Sequence, residues 1–262
     1  MSVDSGNNSI VFPVAVDFVC GGVSATVTNA MLTPWEHIIV KYNVDRIMAK
    51  QAGNKRIYSS FFGCAKTIFQ EQGPRVFYYK FLEQRSTIPR LAIVLSAKNQ
   101  LEYTFADYMH PHAGNILACG TAGIIAAGIM DLTHFSYLRS EGLVTILLAY
   151  PQAALFWGIT VGFYDTLQPS LIGSGYNFPA NFVLGTLTAG IASFVSAPLL
   201  HTRNIVARTY FTQEHTSQIG AIQNVYKKFG IRAFFKTPHF YTYCFGGSYL
   251  AIFGVLKEIF DF

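Results

Sequence analysis

The sequence predicts an all-α membrane protein with six transmembrane helices, arranged as three repeats of two. The composition is the first reason, because 51% of the residues are hydrophobic and only 13% are charged, whereas a soluble domain carries about a quarter charged residues. The second reason is a set of charge-free runs, each close to the roughly 20 residues that cross a bilayer as a helix. These runs are 18–35, 114–130, 142–164, 178–200 and 237–256.

An internal repeat is the third reason. Phe18 and Pro34 return as Phe182 and Pro198 at a single offset. The pattern Gly-x-Arg-x-Phe-aromatic, which begins at residue 73, returns at residue 230. Two blocks that return in the same order indicate that one structural unit is repeated.

The first repeat covers about 10–110. It contains a helix through Pro34, an amphipathic helix at 55–72 and a weaker span at 86–108. The weaker span is predicted to face the interior of the bundle, because ionisable groups inside a membrane need hydration or partners. Its charged residues are Arg90, Lys98, Glu102 and Asp107.

The second repeat covers about 113–168, and only residues 139–142 join its two spans. The amphipathic helix of the middle repeat is therefore predicted to be missing. The third repeat covers about 176–262 and contains a helix through Pro198, an amphipathic helix at 218–229 and a final span. Apolar residues recur at helical spacing in the first amphipathic segment, as in helices that lie on a membrane surface.

Charge and cysteine content limit the possible functions. The net charge of +5 suits a protein among anionic lipids, and solvated loop lysines explain it equally well. The four cysteines stand alone, which predicts neither a metal site nor a disulfide framework. No catalytic constellation is present in the sequence, so no enzyme activity is predicted, and no nucleic-acid partner is expected. Residues 1–9 are polar and resemble neither a signal peptide nor a cleaved presequence.

The order of these features resembles the mitochondrial carrier family. Small residues lie early in each odd-numbered span, a proline lies late in the first and third, and amphipathic helices connect the spans. The segments 162–166 and 230–236 are similar to the fourth and sixth helices of the ADP/ATP carriers within that family. The resemblance covers nearly the whole chain. It implies one carrier domain, 1–262, in the mitochondrial inner membrane, with both termini on the intermembrane-space side.

The resemblance also implies a matrix gate of ion pairs, built from the family motif Pro-x-acid-x-x-base. The first copy, at Pro34, keeps the acid and replaces the base, whereas the third copy, at Pro198, keeps the base and replaces the acid. The second copy, at 129–134, lacks the proline. The implied pairs are Glu36 with His134, Asp131 with Arg203, and the apolar Ile39 with Leu200.

A second ring of ion pairs, on the even-numbered helices, closes the opposite side in this family. Here the copy at 164–168 keeps the acid but not the base, and the copy at 253–257 keeps the base but not the acid. The implied intermembrane-side gate consists of Asp165, Gln168, Lys257 and, from the second helix, either Glu102 or Asp107 together with His110.

The implied substrate cavity has lost most of its positive charge. ADP/ATP carriers bind a polyanion with basic residues on the first, second and sixth helices and a Gly-Ile pair on the fourth. The corresponding candidates here are Asn29, Arg90, Gln152, Ala153 and either Tyr243 or Cys244. A cavity with one cation is a poor nucleotide site.

Two hypotheses follow. The first is a non-transporting, carrier-fold accessory subunit of a larger respiratory-chain or ATP synthase complex, with the lipid bilayer and other subunits as partners. The second is a working, divergent carrier that exchanges ADP and ATP or another small anion by alternating access. No cofactor is expected, although the resemblance allows a bound anionic lipid such as cardiolipin.

Overall fold

The computed structural model describes residues 8–52, 57–79, 81, 87–133, 143–173, 177–212, 218–235 and 240–260. Every regular element in these ranges is helical, so the predicted all-α class is confirmed. The α-helices are α1 (Asn8–Ala52), α2 (Phe61–Gln72), α3 (Thr87–Ala106), α4 (Pro111–Thr133), α5 (Leu143–Trp157), α6 (Phe163–Leu171), α7 (Phe178–Thr212), α8 (Gln218–Phe229) and α9 (Phe240–Phe260).

Six long helical segments form a closed ring in chain order. The segments are α1, α3, α4, α5 with α6, α7 and α9, and each contacts the next one along the chain. The ring closes because α1 also contacts α9. Four of the segments contain stretches that are long and apolar enough to cross a membrane, and α3 and α9 complete the ring. The four stretches are Val14–Asp45, Pro111–Leu132, Thr145–Leu171 and Phe178–Val206.

Small residues bring the two helices of each repeat close together. A methyl group added to Gly21 would lie 3.1 Å from the Ala92 Cα atom, and one added to Gly120 would lie 3.1 Å from the Ala154 carbonyl oxygen. In the third repeat the backbone of α7 meets a glycine of α9 in the same way. These close approaches explain the small residues early in each odd-numbered span.

The two amphipathic helices are repeats of one design. α2 and α8 have 12 residues each. Both end at a glycine in the left-handed region, Gly73 with φ 74° and Gly230 with φ 67°, and a 3₁₀ turn follows each of them. The repeated Gly-x-Arg pattern therefore marks a helix end whose positive φ angle glycine adopts more easily than other residues.

The prediction that α2 begins at residue 55 is wrong, because α2 begins at Phe61. Both carboxylate oxygens of Asp45 accept hydrogen bonds from backbone N–H groups, of Ile57 and of Tyr58, each at 3.1 Å. The Ser60 side chain then caps the first turn of the helix. These bonds hold 57–60 in a non-helical conformation, and residues 53–56 lie outside the described residues.

The fourth membrane segment contains a π-helical turn, Gly158–Gly162, between α5 and α6. The turn packs closely against α4. A methyl group on Gly162 would lie 2.7 Å from the Ile116 Cα atom. Residues 134–142, where the middle repeat was predicted to lack an amphipathic helix, lie outside the described residues.

One hydrophobic cluster fills the interior of the ring, and all six membrane segments contribute to it. On α9 the rings of Phe245, Tyr249 and Phe253 stack in a column, with centroids 6.3 and 6.5 Å apart. Tyr249 is 1% exposed, and its hydroxyl donates a hydrogen bond of 3.3 Å to the Leu91 carbonyl oxygen. Other buried members are Ala25, Val94, Leu95, Cys119, Trp157, Val161 and Leu184.

Candidate functional site

A cavity of about 230 Å³ opens among α3, α4, α5 and α7, toward the end of the ring where α2 and α8 pack. Its polar lining comes from Arg90 on α3, Asp131 on α4, Gln152 on α5, and Ser193, Ser196 and Arg203 on α7. Alanine, phenylalanine, tryptophan and leucine side chains form the remaining wall. Two guanidinium groups and one carboxylate therefore share a small space whose wall is partly polar and partly apolar.

The charges of this cavity act on one another. Arg90 lies close enough to Arg203 to be repelled by it and close enough to Asp131 to be attracted by it. Within the described part of the chain, the Arg90 Nε atom and the Ser193 hydroxyl are buried without a hydrogen-bond partner. Ser193 is only 3% exposed. A buried donor without a partner costs roughly 1–3 kcal/mol, so both donors favour a water molecule or a small acceptor in the cavity.

Three of the five predicted cavity residues line this space, namely Arg90, Gln152 and Ala153. Asn29 does not line it, because its side chain is 1% exposed within the packed part of α1. Tyr243 lies instead against α7, where its ring is 3.9 Å from the position of a methyl group on Gly190.

The predicted matrix gate meets the cavity at three positions. Asp131, Leu200 and Arg203 line it. Glu36 and Ile39 are half-buried on α1, and neither lines the cavity. His134 lies outside the described residues, so its pairing with Glu36, like the contact of Ile39 with Leu200, stays a prediction.

A cluster of buried charges lies at the other end of the ring. The Lys98 Nζ atom on α3 is 2.5 Å from the Asp165 Oδ2 atom on α6. The same Nζ atom is 3.5 Å from the Glu102 Oε2 atom, one turn along α3. The Lys98 side chain is 13% exposed, so one lysine is shared by two carboxylates in a largely dry setting. This pair joins the first repeat to the second.

The second part of this cluster lies between α1, α3 and α9. Asp17 on α1 is 4% exposed. The amide nitrogen of Asn99 on α3 donates to its Oδ2 atom, and the Nζ atom of Lys257 on α9 is 3.8 Å from its Oδ1 atom. This contact joins the first repeat to the third.

Only some residues of the predicted intermembrane-side gate belong to this cluster. Asp165 and Lys257 belong to the cluster, and Gln168 is half-buried one turn beyond Asp165. From the second helix, the structure brings Glu102 to the cluster, while Asp107 and His110 lie exposed in the turn before α4.

Two charged members of this cluster were not predicted from the sequence to be partners of other residues. Lys98 was identified as an interior charge of the weak span but not as the partner of Asp165. Asp17 was missed because it immediately precedes a charge-free run. A carboxylate at that position, in the first turns of an otherwise apolar helix, is the signal that points to a buried partner.

The chain is similar to known carrier proteins over most of its length. The family model described as "Mitochondrial carrier protein" matches residues 11–82. The chain is 24% identical over 264 residues to the "ADP,ATP carrier protein" of Kluyveromyces lactis, covering 85% of this chain and 86% of that protein. It is 24% identical over 270 residues to the "ADP/ATP translocase" of Thermothelomyces thermophilus, covering 86% and 84% of the two chains. It is 22% identical over 299 residues to the "ADP,ATP carrier protein 2, mitochondrial" of Zea mays, covering 90% and 76%.

Proposed function

Starting from a chain whose matches support membership of the mitochondrial carrier family, we propose that it is a non-transporting accessory subunit of a larger assembly in the mitochondrial inner membrane. Members of this family are transporters and not enzymes, so the proposal concerns whether transport has been retained. The name of the Zea mays relative supports the mitochondrial location, and the apolar helices support the membrane.

The packed interior of the ring is the observation that carries the proposal. Between the cavity and the Lys98 cluster, buried side chains from all six membrane segments form one hydrophobic cluster. The aromatic column on α9 contributes Tyr249 to this cluster, and the hydrogen bond of the Tyr249 hydroxyl links it to α3. A polar solute that crossed the ring would have to separate these contacts, and no apolar contact offers it a replacement hydrogen bond.

The cavity itself is unsuited to a nucleotide. Its volume of about 230 Å³ lies below the roughly 300–1,000 Å³ of sites that enclose drug-sized ligands. Its two guanidinium groups are partly offset by Asp131, and the remaining polar groups are an amide and hydroxyls. A nucleotide with three phosphate groups would therefore meet about one uncompensated positive charge.

Transport and complex formation provide separate tests. Liposomes that contain the purified protein and internal ADP should take up labelled ATP no faster than liposomes without protein. Mild detergent extraction of the native membrane should give the chain in a fixed ratio with other subunits of one complex. Rapid, saturable uptake of ATP would refute the proposal, and so would a protein that always migrates as a free monomer.

A second candidate function is the exchange of a small anion by a divergent carrier. The unpartnered Arg90 Nε atom and Ser193 hydroxyl in the cavity favour it, because both are donors suited to an oxyanion. Uptake of labelled phosphate or a dicarboxylate into the same liposomes, abolished by Arg90→Gln, would support this candidate over the first.

A further inference from the structure

We infer that Asp17, Asn99 and Lys257 form a clasp that holds the first and last membrane helices together and keeps this end of the ring closed. The clasp is defined by the two contacts of the Asp17 carboxylate, with the Asn99 amide and the Lys257 ammonium group. The inference rests on the proposed function, because only a protein that does not transport can keep this end of the ring closed permanently.

Asp17 is placed so that both contacts matter. Its carboxylate is 4% exposed in the wall of the bundle, where an ionised group is costly unless it is paired and hydrogen-bonded. Asn99 supplies a charge-assisted hydrogen bond from α3, and Lys257 supplies the opposite charge from α9. The Lys257 side chain is 41% exposed, so its attraction is screened, and the buried Asn99 contact contributes the larger share.

Comparison of the repeats shows that the fold does not require a charge at this position. At the offset that relates Phe18 to Phe182, Asp17 corresponds to Asn181 on α7. Asn181 is fully buried, and it accepts a hydrogen bond of 2.7 Å from the Tyr164 hydroxyl. A neutral amide thus occupies the equivalent position in the third repeat. We therefore attribute the negative charge of Asp17 to its pairing with Lys257.

The clasp acts between repeats and not within one. α1 belongs to the first repeat and α9 to the third, and they meet at the seam where the ring closes. The Lys98–Asp165 pair acts in the same way between the first and second repeats. Rocking of the three repeats against one another would have to break both contacts, and the Asp17 carboxylate would then be left buried without its cation.

Native cysteines provide the test, because Cys20 lies one turn from Asp17 on the same buried face of α1 and is 1% exposed. The purified full chain in liposomes is treated with N-ethylmaleimide, and labelling rates are measured for each cysteine by peptide mass spectrometry. Opening of the seam should expose the thiol to water. Asp17→Asn should raise the labelling rate of Cys20 by about 5-fold to 30-fold, the range that one or two lost kcal/mol of closure produces. Lys257→Gln should raise it by a smaller factor, about 2-fold to 5-fold, because the attraction of a half-exposed lysine is screened.

Three comparisons separate the clasp from general loss of structure. Cys64, which is fully buried in α2, should keep its wild-type rate in both variants. Asp45→Asn, which removes a buried carboxylate from the other end of α1, should leave Cys20 unchanged. The exchanged pair Asp17→Lys with Lys257→Asp should restore slow labelling, because the Asn99 amide accepts as well as donates.

The double variant Asp17→Asn with Lys257→Gln should label no faster than the faster single variant, because both changes remove one shared contact. Unchanged labelling of Cys20 in Lys257→Gln, which alters a half-exposed residue and leaves folding intact, would overturn the inference. Multiplied rates in the double variant would overturn it as well. Uptake of ATP by the wild-type liposomes would refute the proposed function and leave these labelling results standing.

Discussion

Replacing Lys98 by methionine should lower the free energy of unfolding by about 3 kcal/mol. At 2.5 Å from Asp165, the gross attraction at an effective dielectric constant of ~20 is about 7 kcal/mol, and desolvation of the lysine offsets part of it. Removal of one partner from a buried pair typically costs about 3–5 kcal/mol. We expect the lower end, because the Asp165 and Glu102 side chains keep 24% and 26% of their exposure.

Thermal unfolding in detergent, followed by a thiol-reactive dye, measures this effect. A loss of about 3 kcal/mol corresponds to a fall in Tm of about 6–12 °C for a chain of this size. Lys66→Met is the matched control, since it removes an exposed lysine from α2 and should leave Tm unchanged. Lys98→Met should be partly rescued by Asp165→Asn, because the second change removes the carboxylate that the first left unpaired.

Two results would refute this reasoning. A Tm of Lys98→Met equal to that of the wild type would mean that the lysine is hydrated and contributes nothing to closure. A double variant less stable than Lys98→Met alone would mean that Asp165 has other partners that matter more. Glu102→Gln should cost less than about 1 kcal/mol, because the Lys98–Glu102 contact is longer and lies within one helix.

Gly162→Ala should lower the free energy of unfolding by about 1–3 kcal/mol, because the added methyl group meets the backbone of α4. Gly128→Ala is the control and should leave Tm unchanged, because its methyl group would be 3.9 Å from its nearest neighbour. Equal Tm values for the two variants would contradict the close packing of the π turn. Tyr164→Phe should lower stability by about 1–3 kcal/mol, since the buried Asn181 oxygen loses its donor, and an unchanged Tm would show that water replaces it. Burial raises the pKa of the Cys64 thiol, so its maleimide labelling should stay slow at pH values near 8.5, where a free cysteine is half ionised; labelling that follows a free thiol would contradict its burial.

Most of the helical architecture was predictable from the sequence. A helix in lipid must be long and apolar, so charge-free runs located the membrane segments directly. Pro34 and Pro198 lie inside α1 and α7, as predicted, because a helix in a bundle tolerates a proline when neighbouring groups satisfy the freed carbonyl. The C-terminal ends of α2 and α8 follow from the repeated Gly-x-Arg pattern that comes directly after both.

The details that the sequence did not reveal depend on contacts between distant residues. Asn99 and Asp17 are 82 positions apart, and nothing local to either residue indicates the other. The π turn at 158–162 lies where the backbones of α4 and the fourth membrane segment approach closely, which is a property of the packed pair of helices. The start of α2 was missed for the same reason, because Asp45, 12 positions before Ile57, fixes the preceding backbone.

The order of helices around the ring has a consequence for how the protein is assembled. Successive membrane segments lie within about one repeat of each other along the chain, so each contact between them can form as soon as its second helix enters the bilayer. The seam between α1 and α9 is different, because it must wait until the whole chain has been inserted. Until then Asp17 faces an open edge without its lysine. In an incomplete molecule Asp17 keeps the Asn99 amide but lacks its cation, and arrival of the last helix supplies the Lys257 ammonium group together with the other contacts of α9.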